Sequence, residues 1–353
     1  MVRYNYYMKN KYLIRMAISM VGAVILFVFV VNNSWMYKSP VAKVLAVNND
    51  GNKQSIELRL ENGSDKGKTV YVKNKYDKSQ VYDERYFKHD YVFLNDEYTG
   101  ITGIKRDYWV AAIFLFLLSS LITVGGKRGA YTALCILGNI ALFGIIIYMN
   151  MRGVDILYMT IAGTVVFTFF VLLVVDGLSH RMMLSFAAAL LTTLLLSSLV
   201  MLLIWHTDID YDFLHFLPEP FTTTDANHFF LAQIIIGCLG AVIDVSVTIT
   251  AACMELIERT PSISNKSLLR SVREVADDIN GTMISVVLLT NIASTLPIFL
   301  ISMSNEIGFR TVVSHDAYFY IVRSLTGMLS IVVAILVSTF ITSLVARKEL
   351  KHD

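Results

Sequence analysis

Long apolar runs separated by short charged segments constrain this chain more than any other feature. Eight runs have roughly the length that a helix needs to cross a hydrocarbon core about 30 Å thick, at about 1.5 Å rise per residue. They are residues 13–31, 109–124, 130–149, 156–175, 183–205, 229–257, 281–301 and 318–345. Hydrophobic residues make up 55% of the 353 residues and charged residues only 16%. This composition is typical of membrane proteins, and the sequence predicts an α-helical polytopic membrane protein with about eight transmembrane helices.

Residues 32–107 interrupt this pattern with short, alternating β-like runs. The runs lie at 41–47, 55–61, 69–72 and 91–94, with turn signals at Asp50-Gly51 and Asn62-Gly63,. We expect a small β domain of barrel or sandwich type, in which Tyr76, Tyr82, Tyr86 and Phe87 fill the core or rest at the membrane interface rather than dock a substrate. The predicted domains are the N-terminus with the first helix at 1–31, the β domain at 32–107, a seven-helix bundle at 108–346 and a tail at 347–353.

The distribution of basic residues predicts the orientation in the membrane. One side carries Lys127, Arg128, Arg181, Arg259, Lys266, Arg270, Arg273, Arg347 and Lys348. The short loops of the opposite side carry only Arg152 and Arg310. The positive-inside rule then places both termini in the cytoplasm and residues 32–107 outside. Because the net charge is only +2 and the cations flank apolar runs, we expect contact with the lipid bilayer and no nucleic-acid partner.

The run at 229–257 carries a polar and small face. Its members recur at three- and four-residue steps and therefore share one side of a helix. They are Gln233, Gly237, Gly240, Asp244, Thr248, Ala251 and Glu255. Because small residues permit close helix packing, we expect this face to turn into the bundle. Asp244 lies roughly 22 Å from the outer end of the helix at ~1.5 Å per residue, which makes it a candidate functional residue; the alternative is a protonated Asp that only hydrogen-bonds a neighbouring helix.

The next segment is charged and then apolar. Residues 265–280 predict an amphipathic helix on the membrane or the bundle. Asp277 and Asp278 lead into Gly281 and are either functional or helix-start carboxylates. Ser285 and Asn291 give the following span a polar face that Pro297 closes. The candidate ion or proton pathway is therefore Asp244, Thr248, Glu255, Asp277, Asp278, Ser285 and Asn291, with Gly237, Gly240, Gly281 and Pro297 as packing positions.

Arg323 is the candidate counter-charge, because it is a basic residue inside a span. Counted from residue 318 it lies roughly 8 Å deep at ~1.5 Å per residue, whereas Asp244 is far deeper. We therefore expect no direct pair between the two. Arg323 extends to the outer headgroups or to Asp316, and Asp244 is held by Ser285 or Asn291.

Other chemistries find little support in the sequence. The segment 206–228 combines five acidic residues with His206, His215 and His228, but their spacing matches no defined metal loop, so we expect no metal site. Cys135, Cys238 and Cys253 lie in apolar runs without metal or redox spacing, so we expect no cofactor. Since HExxH and Gly-x-Ser-x-Gly motifs are absent, we expect no enzyme.

Several motifs resemble the bacterial YibE/F-like membrane proteins. They are Gly237-Cys-Leu-Gly-Ala-Val-Ile-Asp244, Asp278-Ile-Asn-Gly281, Ser294-Thr-Leu-Pro297, Ile321-Val-Arg323 and, in the β segment, Gly63-Ser-Asp-Lys-Gly67. The chain departs from the family pattern at Thr290-Asn291 and at His89-Asp90. The resemblance to the longer, outer-domain-bearing members implies a multi-pass protein of the bacterial cytoplasmic (plasma) membrane.

The chain has Gly-x-x-x-Asp in one span, then a short charged amphipathic helix and then a span ending in Pro. This order of segments is also similar to half of a resistance-nodulation-division transporter, including the SecD and SecF export pair. Those proteins likewise follow the first span with an external domain and carry an intramembrane Asp in a proton pathway. This resemblance implies an ion-coupled transporter or export factor using Asp244, working as a homodimer or with a shorter YibE/F-like paralogue. The alternative is a non-transporting scaffold or receptor subunit that recognises a partner through its outer β domain.

Overall fold

The computed structural model describes residues 17–18, 20–77, 79, 83–206, 222–314 and 318–349. Its helices are α1 (Met20–Val31), α2 (Asp107–Gly125), α3 (Lys127–Met151), α4 (Ile156–Asp176), α5 (His180–His206), α6 (Thr223–Arg259), α7 (Asn265–Ser304), α8 (Phe309–Ser314) and α9 (Tyr318–Glu349). Seven of them are long and apolar enough to cross a membrane, and α1 is a shorter apolar helix. The predicted helical, multi-pass membrane fold with a small β domain is confirmed, with the first predicted span lying partly outside the described residues. The chain divides into two compact units, Met1–Ala133 and Leu134–Asp353.

The first unit contains one antiparallel sheet of five strands. The strands are β1 (Val41–Asp50), β2 (Lys53–Leu60), β3 (Thr69–Lys75), β4 (Tyr91–Leu94) and β5 (Ile101–Ile104). Their order in the sheet is β3-β2-β1-β4-β5. A two-residue turn with Gly51 at a φ of 56° joins β1 to β2, whose ends pair Asp50 with Lys53. Since positive φ is strained for most residues, this turn requires glycine.

One face of the sheet carries the core of this unit. Alternate residues of neighbouring strands lie side by side on this face, as Ala42 does with Leu60 and Val44 with Leu58. All four residues are buried. The buried Tyr86 covers this face, which confirms the core role expected for that ring, whereas Phe87 is exposed. The expectation of a barrel or sandwich is wrong, because β3 and β5 stay at the edges of a single open sheet.

A buried lysine joins the sheet to the helices of the first unit. The Lys105 ammonium donates to the Val30 carbonyl at 2.5 Å and lies 3.0 Å from an Asp107 carboxylate oxygen. The ring centres of Tyr37 and Tyr108 are 5.5 and 5.6 Å away. Because a buried charge needs partners, this cage ties the end of α1 to the start of α2.

The second unit is built around α6. This helix is the most deeply buried of the seven membrane-length helices and packs against α4, α5, α7 and α9. Its apolar face, with Val242, Val245, Ile249 and Cys253, is fully buried in a cluster that also contains side chains of α4, α5, α7 and α9.

The amphipathic segment and the following span form one continuous helix, α7. Ser264 caps its start by accepting the Ser267 N–H at 3.1 Å. Leu268 and Val272 are buried against the core. Pro297 lies inside α7, which continues to Ser304, so the expectation that Pro297 closes the span is wrong. Transmembrane helices tolerate proline because neighbouring groups satisfy the freed backbone.

Candidate functional site

The polar and small face of α6 is exposed in the single chain. Gln233, Gly237, Gly240, Asp244, Thr248 and Glu255 all lie on the surface, and Ala251 is half-buried. The expectation that this face turns into the bundle is therefore wrong for one copy of the chain. The reason is packing, since the larger branched side chains of the opposite face bury more apolar area against the neighbouring helices.

The Asp244 carboxylate has no hydrogen-bond or ion-pair partner within the described part of the chain. Only its backbone carbonyl is used, which accepts the Thr248 hydroxyl at 2.8 Å. Ser285 donates to the Gly281 carbonyl at 2.6 Å, and the Asn291 amide donates to the Val287 carbonyl at 2.8 Å. The expectation that Ser285 or Asn291 holds Asp244 is thus wrong, because hydroxyl and amide groups on a helix bond preferentially to their own preceding turn.

Arg323 instead lies where α6, α7 and α9 meet. Its Nε donates to Asn291 Oδ1 at 3.0 Å, and its guanidinium carbon is 5.6 Å from the centre of the Tyr320 ring. A Cβ on Gly237 would be 3.6 Å from Arg323 Cδ, so the arginine stem runs along α6 at this glycine. Arg323 and Asp244 are not paired, as expected, and the predicted contact with Asp316 falls outside the described residues.

The contacts of Arg323 place it deeper than the sequence suggests. Asn291 is at the midpoint of the apolar run 281–301, roughly 15 Å from either end at ~1.5 Å per residue. Gly237 lies roughly 12 Å from the start of the apolar run of α6 by the same count. Counting from residue 318 gives a smaller depth because Arg323 is only five residues into α9, whereas its partner Asn291 is thirteen residues before the end of α7 at Ser304.

The remaining candidates lie at the opposite end of these helices. Glu255 forms an ion pair with Arg259 at 2.6 Å, and Asp277 lies 4.0 Å from Arg273. Asp277 and Asp278 are exposed. The interpretation of both as helix-start carboxylates is wrong, because α7 begins at residue 265.

The predicted packing glycines have different surroundings. A Cβ added to Gly240 or to Gly281 would meet no atom within 4 Å. The expectation of close packing at these two positions is therefore wrong for a single copy of the chain. At Gly237 the neighbour is the stem of Arg323 rather than a helix backbone.

One polar pair was missed by the sequence argument. Asp155 caps α4 by accepting the Leu157 N–H at 2.7 Å, and its second oxygen accepts from His228 Nδ1 at 2.6 Å. Burial raises the pKa of Asp155, but the bonds from His228 and from Leu157 outweigh it and leave the pKa below its ordinary value. The capping role of Asp155 can be predicted from the sequence. Its partner His228 lies too far along the chain for the pair to be recognised.

The structure groups no three His, Cys, Asp or Glu residues as a metal site in the parts of the chain that it describes. Most of the acidic segment 206–228, namely 207–221, lies outside those parts. The expected absence of a metal or cofactor therefore stays a prediction.

Comparison with known proteins covers nearly the whole chain. A sequence model described as YibE/F-like protein matches residues 112–348, and one described as the YibE/F family N-terminal domain matches residues 35–106. No curated protein and no solved structure matches the chain. The first match contains the exposed face of α6 together with Asn291 and Arg323, and the second contains the five-stranded sheet. The chain therefore belongs to the YibE/F-like family of membrane proteins.

Proposed function

We propose that this protein is an ion-coupled transporter or export factor of the bacterial cytoplasmic membrane, in which Asp244 binds the coupling proton or cation. One observation carries the proposal: a carboxylate without a partner among the described residues lies on an exposed polar stripe that follows α6 across its membrane-spanning length. We define the α6 stripe as Gln233, Gly237, Gly240, Asp244, Thr248, Ala251 and Glu255.

Lipid is a poor neighbour for this stripe. A central carboxylate in hydrocarbon costs from about 2.5 kcal/mol upward, and Gln233 adds a second exposed polar side chain. Water or protein must therefore cover the stripe. Because Gly240 leaves open space beside α6, a helix of a second chain fits there at close range.

The occupant that we propose is a second copy or a shorter YibE/F-like paralogue. Two facing stripes would enclose a polar path that runs from the middle of the membrane through Thr248 to Glu255. Asp277 and Asp278 lie on the exposed surface of α7 near the same end and would extend the path to the cytoplasm. The proposal includes no enzymatic step.

A second candidate function rests on the β domain. Tyr71 is 76% exposed and lies in β3, which is an edge strand of the sheet. An exposed edge strand with an aromatic side chain can add a strand of a partner. A scaffold or receptor subunit would use this surface and would not need Asp244.

Flux into proteoliposomes tests the transport proposal. Purified protein is reconstituted with an entrapped pH dye, and flux is started with a pH gradient, with and without sodium. Asp244→Asn keeps the size of the side chain, so we expect wild-type abundance and melting temperature but flux at the level of empty liposomes. Glu306→Gln removes an exposed carboxylate beyond the end of α7 and should leave flux unchanged. Wild-type flux in Asp244→Asn would refute the proposal.

A further inference from the structure

We infer that Arg323 is the centre of an intramembrane binding site for a small oxyanion, a carboxylate or a phosphate group, where α6, α7 and α9 meet. The inference rests on the proposed transport function and deepens it, because it names an anion as the substrate class. It also goes beyond a counter-charge for Asp244, with which Arg323 is not paired.

The arginine is held in place by three helices. Asn291 of α7 fixes Nε at 3.0 Å, Tyr320 of α9 lies under the guanidinium at 5.6 Å, and Gly237 of α6 accommodates the stem. Both the amide oxygen and the ring face favour the cation. A guanidinium held in this way is preorganised, so little side-chain entropy is lost when a ligand binds.

Within the described residues, no carboxylate compensates the charge of Arg323. The guanidinium is a cation, and at roughly 12–15 Å from the outer ends of the apolar runs of α6 and α7, at ~1.5 Å per residue, Arg323 is too deep to extend to the headgroups. Within the described residues its only polar partner is Asn291, and no carboxylate pairs with it. Charged residues at such depth mark substrate or ion pathways.

Among the described residues, no group binds the two terminal nitrogens of Arg323, which leaves them open to a ligand. Asn291 binds only Nε. Neither terminal nitrogen is among the polar atoms of the described residues that are buried and lack a hydrogen-bond partner. The planar guanidinium fork matches the two oxygens of a carboxylate or of a phosphate. Gln233, about one turn from Gly237, adds an amide to the same exposed surface.

The oxyanion site lies on the α6 stripe together with Asp244. Gly237, against which Arg323 packs, is about two helical turns from Asp244, roughly 10 Å at ~1.5 Å per residue. An anion at Arg323 and a proton or cation at Asp244 would cross the membrane together with little net charge, which lowers the electrostatic cost of the passage. Either a free anion or the phosphate of a phospholipid supplies this ligand chemistry.

Ligand-induced stabilisation of the purified full chain tests the site. The melting temperature is measured in an uncharged maltoside detergent against inorganic phosphate, acetate and chloride. We expect a saturable rise with at least one of the two oxyanions and none with chloride. Arg323→Gln should weaken the oxyanion binding about tenfold or more. Arg323→Lys, which keeps the charge without the fork, should give an intermediate loss and carries the test if the Gln variant does not fold. Arg310→Gln, an exposed arginine of α8, should bind as the wild type does.

Phosphorus analysis of the washed protein separates the two sources of the oxyanion. If the ligand is a lipid headgroup, phospholipid should co-purify with wild type and with Arg310→Gln but be lost from Arg323→Gln. Equal phospholipid content and equal oxyanion response in wild type and Arg323→Gln would overturn the site and leave Arg323 as a structural link.

The Asp244→Asn variant distinguishes failure of this site from failure of the transport proposal. It should lose flux and keep the oxyanion response, whereas Arg323→Gln should lose both. Flux retained in Asp244→Asn would refute the transport proposal but would not contradict the oxyanion site.

Discussion

Asp155 serves two partners at once. One carboxylate oxygen caps the start of α4 and the other accepts from His228 of α6, so this residue joins the α3–α4 connection to the first turns of the central helix. Because the pKa of Asp155 lies below its ordinary value of 3.8, the ionised form stabilises the folded state. This contribution is complete above the ordinary pKa and is lost as the pH falls through the lowered pKa.

We therefore predict a pH-dependent difference between two variants of Asp155. Asp155→Asn keeps a capping oxygen but loses the charge, so its melting temperature should lie below that of the wild type at about pH 5 and approach it as the pH falls below the ordinary pKa of the carboxyl group. Asp155→Ala also loses the cap, at an additional cost of about 1 kcal/mol. Melting curves between about pH 3 and 6 measure both. A gap between wild type and the Asn variant that widens towards acid would contradict this account.

At the scale of elements, one face of α6 packs against neighbouring helices and the other, the α6 stripe, is exposed in a single copy. The face with Val242, Val245 and Ile249 is buried and holds the second unit together. The α6 stripe contributes little to packing within one copy, since a Cβ at Gly240 would meet open space. Changes at the stripe should therefore report what covers it rather than how the chain folds.

We predict that Gly240→Cys forms disulfide-linked dimers in membranes, because the proposed second chain brings two stripes face to face. The experiment uses a background in which the three buried native cysteines are replaced by alanine. Leu194→Cys, at a 62% exposed position of α5, is the control and should stay monomeric under the same mild oxidation. If only the control cross-links, the second copy does not cover the stripe. If neither cross-links, the shorter paralogue becomes the occupant to test.

At the scale of the whole molecule, the seven membrane-length helices and the five-stranded sheet establish a multi-pass membrane protein with one small β domain. The orientation of the chain in the membrane stays a prediction from the positive-inside rule, because the basic loops lie on one side of the predicted spans. The family models match both parts of the chain, residues 35–106 and residues 112–348.

We predict that both termini are cytoplasmic and that residues 32–107 are outside. A phosphatase that is active only outside the cytoplasm, fused at the exposed Lys66, should be active, and the same enzyme fused after residue 353 should be inactive. A fluorescent protein that matures only in the cytoplasm should give the reverse pattern. Activity of the phosphatase at the C-terminus alone would show that the topology is inverted. The Glu255 end of the α6 stripe would then face the outside.

The sequence by itself determined most of the helices and strands. A membrane-spanning helix satisfies its backbone internally, so the length of an apolar run is enough to predict it, as for 156–175 and the observed Ile156–Asp176. Strands with alternating patterns and turn residues were also predicted, but Ile101–Ile104 was missed because a glycine interrupts it,.

Only the tertiary structure decided which surfaces and which partners those elements use. Periodicity identified the α6 stripe correctly but not its direction, because the buried face is chosen by how much area each side packs against α4, α5, α7 and α9. The depth of Arg323 depended on its bond to Asn291, and Asp155 found its partner in His228. These residues are separated by many turns of helix, and local pattern carries no information about which distant groups meet, since that is set by the simultaneous packing of all the helices.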